Sequence, residues 1–223
     1  MLTEVWLVAA KDLLVERRSR VALTQIAPFA VLVLVLFGLA LGSNSNATLR
    51  EISPALYWVT VLFAAILAIQ RSFSVDQASG VPDALRLSGL TPAAIFLGKA
   101  LAIVLQLLVL QVVLVAGIVV LFNASIEDVV LLVLAALAAV IGIAAAGTLY
   151  GVLASDLAVR DSLLPLLLLP VLAPVLMAAT RTFDDALGLV AVDGWAWLGV
   201  LGLFGVIYLV FGALAYGVLL EES

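Results

Sequence analysis

Side chains able to do chemistry are scarce in this sequence, and the gaps narrow what it can do. Its 223 residues include no His and no Cys, which removes the commonest general base and metal ligand, and every thiolate site and disulfide. A phosphate-binding loop needs G-x-x-x-x-G-K-[ST]. Gly98-Lys99 is followed by Ala100, and Ala93 stands where the first glycine would be, so ATP is not bound by this chain. An intramembrane enzyme would need a nucleophile–base pair, paired aspartates or metal ligands, and none is present. Gln25, Gln106 and Gln111 lie in or beside apolar runs, where amides usually bond another helix rather than a substrate. No acid or base falls at mid-depth of a run, which argues against ion- or proton-coupled transport.

The most informative polar stretch runs from Gln70 to Pro92 and reads QRSFSVDQASGVPDALRLSGLTP. It sets Arg71, Asp76, Asp83 and Arg86 among aliphatic residues, and Gly80 and Pro82 divide it in two. Val81, Leu85, Leu87 and Leu90 give the second piece a partly apolar face, which a solvated loop does not require. Docking of a short helix into a groove on a cytoplasmic protein accounts for this, as does a loop packed on its own helix ends.

The elements that position these residues are six apolar runs: Val21–Leu41, Pro54–Ile69, Ala93–Phe122, Val129–Leu153, Leu163–Ala179 and Trp195–Leu220. Crossing a hydrocarbon core takes roughly 20 apolar residues. With 66% hydrophobic and 11% charged residues and a mean hydropathy of +1.34, too much apolar surface exists for a soluble domain of this size to bury. The expected fold is all-α: one transmembrane domain over residues 1–223, with six spanning helices. Lys11, Arg17, Arg18 and Arg20 make a basic lead-in, but 21 apolar residues exceed a secretory h-region, so the first run is read as a retained helix.

Loop charge sets the orientation. Lys11, Arg17, Arg18, Arg20, Arg71, Arg86 and Arg160 share one side, Lys99 snorkels to it, and only Arg50 and Arg181 occupy the other. Lysine and arginine concentrate on cytoplasmic loops, so both termini are expected in the cytoplasm. The net charge of −5, spread over short loops, implies no nucleic-acid partner. Ser53-Pro54 and Thr91-Pro92 read as helix starts, as do Asp161-Ser162 and Asp193. Trp58, Trp195 and Trp197 stand near span ends, as in an aromatic belt.

Residues 1–20 carry Leu2, Val5, Trp6, Ala9 and Leu13 at helical spacing, with Glu4, Lys11, Asp12 and Glu16 elsewhere. This predicts a cytoplasmic interfacial helix; the plainer reading is a hydrated run-in. Ala138, Gly142 and Ala146, then Gly147 and Gly151, suit close helix packing within one subunit, or a homodimer face. Gly199, Gly202 and Gly205 repeat the theme. Pro165, Pro170 and Pro174 predict a bent fifth span, buried or lining a cavity. Residues 180–194 are expected as an outer loop, either plain or holding a short re-entrant or surface helix.

The stretch ISPALYWVTVLFAAILAIQRSF from Ile52, then Asp76-x-x-x-Gly80, then LRLSGLTPAAIFLGK ending at Lys99 resembles the haem exporter protein B family. LLPLLLLPVLAPVLMAAT, from Leu163 to Thr180, is similar to that family's fifth span. Two departures stand out: Gln70-Arg71 replaces a common Glu-Arg pair, and Ser88-Gly89 replaces Ser-Pro or Leu-Pro. The resemblance implies the permease subunit of the cytochrome c maturation ABC transporter, in the bacterial inner membrane. A separate cytoplasmic ATPase would handle ATP, and residues 70–92 would couple to it, with Gln70, Arg71, Asp76, Gly80, Asp83, Leu85 and Leu87 as the contact set. It further implies a permease homodimer, other maturation membrane proteins and a haem-loaded periplasmic chaperone as partners, and haem as cargo of the complex. With no His and only Met1 and Met177, direct ligation of haem iron is not expected, and this chain binds no cofactor itself. The other reading of the same architecture is an ABC exporter permease for a lipid, drug or polysaccharide.

Overall fold

The computed structural model describes residues 1–41, 46–155 and 160–222; side chains at 22, 23, 41, 46, 47, 82, 83, 86, 155, 160–162 and 220–222 are outside the described set. The order is α1 (Leu2–Ser19), a π-helical segment (Ala22–Ile26), α2 (Ala27–Leu41), α3 (Asn46–Ala78), α4 (Val81–Leu87), α5 (Pro92–Phe122), α6 (Val129–Ser155), α7 (Arg160–Ala186) and α8 (Gly194–Glu222). Among the described residues there is no strand. Five helices, α3 and α5 to α8, are each long and apolar enough to cross a membrane, and α1 with α2 supplies a sixth span only as a pair bent by 53°.

That bend revises the first expected span. The run from Val21 to Leu41 is not one straight helix: Arg20 closes α1 in the left-handed region at φ 53°, and a π-helical turn re-aims the chain into α2. π-turns are a recognised source of sharp bends. The second span is revised as well. α3 starts at Asn46 and carries Pro54 inside it, so Ser53 is not a cap. A proline at 54 cannot donate to the carbonyl of Arg50, four residues back. The Ser53 hydroxyl donates to that carbonyl instead, at 2.8 Å, which is how a helix in lipid survives a missing amide.

Helix α6 is the hub, packed against α3, α5, α7 and α8. Its small residues serve contacts within this chain: Gly142 faces Val175 of α7 and Gly205 of α8, while Gly147 and Gly151 take Ile69 and Phe73 of α3 where a side chain would otherwise stand. By contrast, Gly199 and Gly202 of α8 face open space. α7 runs unbroken to Ala186 through its three prolines, and Tyr208 of α8 donates to the Val171 carbonyl inside the proline stretch at 2.7 Å. The buried side of α7 is Leu164, Leu168, Leu172 and Val175; Pro165 and Pro174 are half-buried beside it and Pro170 is exposed.

Two expected helix starts are observed. Thr91 precedes Pro92 at the start of α5, and the Asp193 carboxylate accepts from the Ala196 amide at 3.1 Å in the first turn of α8. Asp161-Ser162 lies outside the described side chains. Trp58 is not a belt residue: it is 1% exposed. The segment 180–194 holds no helix of its own. Its first part is the end of α7, and the turn after it buries Leu187 and ties the Glu127 and Asp128 amides to the Ala186 carbonyl at 2.9 and 3.0 Å.

Candidate functional site

One end of the bundle brings together α1, the end of α3 and the start of α5, and charges collect there. Four of them close a ring. Asp76 on α3 accepts from Lys99 on α5 and, at 2.8 Å, from Lys11 on α1. Lys11 also lies 2.7 Å from Asp12, and Asp12 returns to Lys99 at 3.5 Å. Two ammonium groups thus alternate with two carboxylates, and the ring is neutral. Lys99, Asp76 and Asp12 are 3%, 7% and 7% exposed. Ions this deep persist only when paired and hydrogen-bonded.

Local structure explains the placement. Gly98 lets α1 come close, since a Cβ there would meet the Val5 carbonyl and Val8 Cβ at 2.6 Å. Gly151 makes room for the Phe73 ring, and that ring carries the Lys99 ammonium 4.5 Å from its centroid, a cation–π support. About two turns before the ring, the Glu4 carboxylate accepts from the Thr91 hydroxyl at 2.9 Å and the Thr91 amide at 3.4 Å. A carboxylate from another element thus stands at the positive end of α5.

These ties correct one expectation: Lys99 does not snorkel outward but is turned into the bundle. The charges of α1 divide, with Asp12 buried beside Val8 and Ala9 while Arg17 and Arg18 are exposed, as are Leu2, Trp6, Leu7 and Leu14. α1 runs alongside α5 in the same direction, with Glu4 beside Thr91 and Asp12 beside Lys99.

The residues singled out for coupling are divided by the fold. Gln70, Arg71 and Asp76 belong to the last turns of α3, not to a loop. Gln70 is half-buried and Arg71 exposed, whereas Asp76 is an internal tie. Gly80 starts α4 at φ 65° and Gly89 leaves it at φ 71°, both in the region that favours glycine. Leu85 packs against the core, but Leu87 is 89% exposed. The backbone of residue 83 lies in α4; the Asp83 side chain is outside the described set. The sequence does not reveal Lys11 and Lys99 as the partners of Asp76, nor Asp12 as the second carboxylate they share. A lone Lys99 in an apolar run was the available signal, since such a charge demands a partner.

A family profile described as CcmB protein matches residues 3–223, essentially the whole chain. The chain belongs to the CcmB family. This makes it the permease component of the cytochrome c maturation haem exporter, a multi-pass membrane protein of an ABC transporter that works with an ATPase partner and other maturation components. No curated protein matches the sequence.

In this CcmB chain the opposite end of the bundle is aromatic rather than ionic. Tyr57 and Trp58 of α3 pack on Phe183 of α7, with ring centroids 5.0 and 4.9 Å from it. An open groove beside them runs between α3 and α7 and is edged by Glu51, Met177, Arg181 and Asp184. Arg181 pairs with Asp184 at 3.4 Å, and Arg50 bonds Ser125 across to the α5–α6 turn.

Proposed function

We propose that this permease converts the ATP-driven movement of a separate cytoplasmic ATPase into tilting of its long helices, with residues 70–92 as the docking element. One observation carries the reading: a seven-residue helix hung between two left-handed glycines presents Leu87 outward, one turn beyond the Asp76 ring. A push on α4 is delivered to the end of α3. From there the ring and the close approach at Gly98 pass it to α1 and α5 together, because buried ion pairs and packed backbones move as a unit. α3 and α5, of 33 and 31 residues, are about 50 and 46 Å long, so a small tilt at this end becomes a large displacement at the other.

On this reading the ring end faces the cytoplasm of a bacterial inner membrane and both termini lie there. The basic residues gathered at that end support the orientation. α1 lies at the cytoplasmic side along the first turns of α5, with Leu2, Trp6, Leu7 and Leu14 toward lipid, and residues 180–194 form the periplasmic turn. Two permeases and two ATPases make the working unit. Its output is release of a haem-loaded periplasmic chaperone, or haem export, without an iron ligand from this chain; the absence of His and Cys supports mechanical work over ligation.

The lack of cysteine makes Leu87→Cys the sole thiol. Co-expressed with its ATPase and treated with a short bifunctional thiol–amine cross-linker, this variant is expected to yield a permease–ATPase adduct. No adduct from Leu87→Cys, or an adduct formed equally from Val190→Cys at the opposite end, refutes the docking assignment.

A further inference from the structure

Three regions outside the ring could hold a ligand. In the α3–α7 groove Arg181 and Asp184 pair with each other, and the uncovered glycines of α8 have nothing to specify an occupant. The third is a groove along α5, and it is built like an amphiphile. Its polar mouth is formed by Arg17 and Arg20 from the end of α1, facing Gln106 of α5, over a floor that includes Leu105 and Val109. Glu16 also lines this mouth, so two arginines stand there against one glutamate and it stays cationic. Both Arg17 and Arg20 are exposed.

One helical turn further along the same face of α5, Val113 walls a second groove with Pro28, Leu32 and Val35 of α2, entirely apolar in its lining. Leu105, Val109 and Val113 follow at i, i+4 and i+8, a single stripe about 12 Å long. The two grooves therefore follow one another along this stripe, and together they make the candidate channel. It exists because the left-handed Arg20 and the π-turn after it swing α2 by 53° away from the line of α1. The apolar run from Val21 to Leu41 begins at the residue after Arg20, so the guanidinium groups stand where hydrocarbon gives way to headgroups.

We infer that this channel is a binding site for an anionic phospholipid, the headgroup phosphate on Arg17, Arg20 and Gln106 and an acyl chain along Val109, Val113 and Leu32. Guanidinium forks suit phosphate, and basic pockets between spanning helices recognise acidic headgroups. Charge complementarity selects an acidic lipid over a zwitterionic one, and the apolar half selects a lipid over a soluble anion.

The test titrates the full chain in detergent with dioleoyl phosphatidylglycerol, dioleoyl phosphatidylcholine and glycerol phosphate, reading bound adducts by native mass spectrometry. Phosphatidylglycerol is expected to bind most tightly, with affinity falling as salt rises. Arg17→Gln with Arg20→Gln should weaken it about thirtyfold, while Arg18→Gln, a charge loss outside the groove lining, changes it little. Val113→Trp fills the apolar half and should lower retention of the lipid with both arginines intact. Equal affinity for the two lipids, an acidic preference that survives in the double variant, or comparable binding of glycerol phosphate overturns the assignment. So does a Val113→Cys chain that forms a disulfide with a second copy while lipid preference is unaltered, because the channel is then a seam between permeases.

Discussion

Lys99→Met and Lys11→Met remove one positive charge each from the same ring, yet their effects should differ severalfold. Lys99 has a side chain 4% exposed, whereas that of Lys11 is 32% exposed. Removing a partner from a buried pair costs about 3–5 kcal/mol, because the remaining charge is left uncompensated. An exposed pair contributes about 0.2–1 kcal/mol, and Lys11 sits between these limits, screened by the water it reaches. Lys99→Met keeps the aliphatic stem, so the loss is mainly electrostatic and leaves Asp76 and Asp12 with Lys11 alone. For a chain of this length about 2–4 °C of melting temperature accompanies each kcal/mol. Lys99→Met should therefore lose about 6–20 °C and Lys11→Met only a few degrees. Thermal unfolding in detergent, followed by intrinsic tryptophan fluorescence, reads both. The double variant Asp76→Asn with Lys99→Met is neutral again, and its loss should fall short of the sum of the singles by about 2 kcal/mol. Equal losses for the two lysine variants, or additive losses for Asp76 and Lys99, would falsify the ring as a buried, coupled unit.

Three further outcomes follow from the geometry. Ser53→Ala strands the Arg50 carbonyl and should cost about 1–2 kcal/mol; adding Pro54→Ala restores a backbone donor and should recover most of it, and the argument fails if the second change deepens the loss. Leu87→Asp should leave the melting temperature within about a degree yet reduce ATPase co-purification, whereas Leu85→Asp, facing the core, should destabilise by about 2 kcal/mol or more; identical behaviour of the two would contradict an exposed docking face. Gly98→Val places carbons against the Val5 carbonyl and Val8 and should free α1 from α5, seen as faster proteolysis within residues 2–19, while unchanged protection would mean that α1 is held elsewhere.

Much of the architecture could be read before any coordinates. Apolar runs of spanning length, the Thr91-Pro92 entry and the Asp193 cap are local features, decided within a few residues, and they appear as expected. The site was only half legible. Asp76, Gly80 and Leu87 could be singled out, yet their separation into a buried tie, a hinge and an exposed tip could not. Asp76 pairs with Lys99 across 23 residues and with Lys11 across 65, and nothing in the intervening chain encodes either distance.

The reason lies in the solvent. In water an apolar stripe marks the inward face of a helix. In lipid the outward face of a helix is apolar as well, so in α5, α6 and α8 hydrophobic periodicity cannot say which way the helix is turned. Composition alone therefore settled that this chain spans a membrane and supplies neither an imidazole nor a thiol. Rotation and register were settled by close contacts at Gly98, Gly142, Gly147 and Gly151, where a neighbour occupies the space a side chain would take. Where those helices touch, four charges scattered from residue 11 to residue 99 meet; rotate α5 by a third of a turn and Lys99 would face the hydrocarbon unpaired.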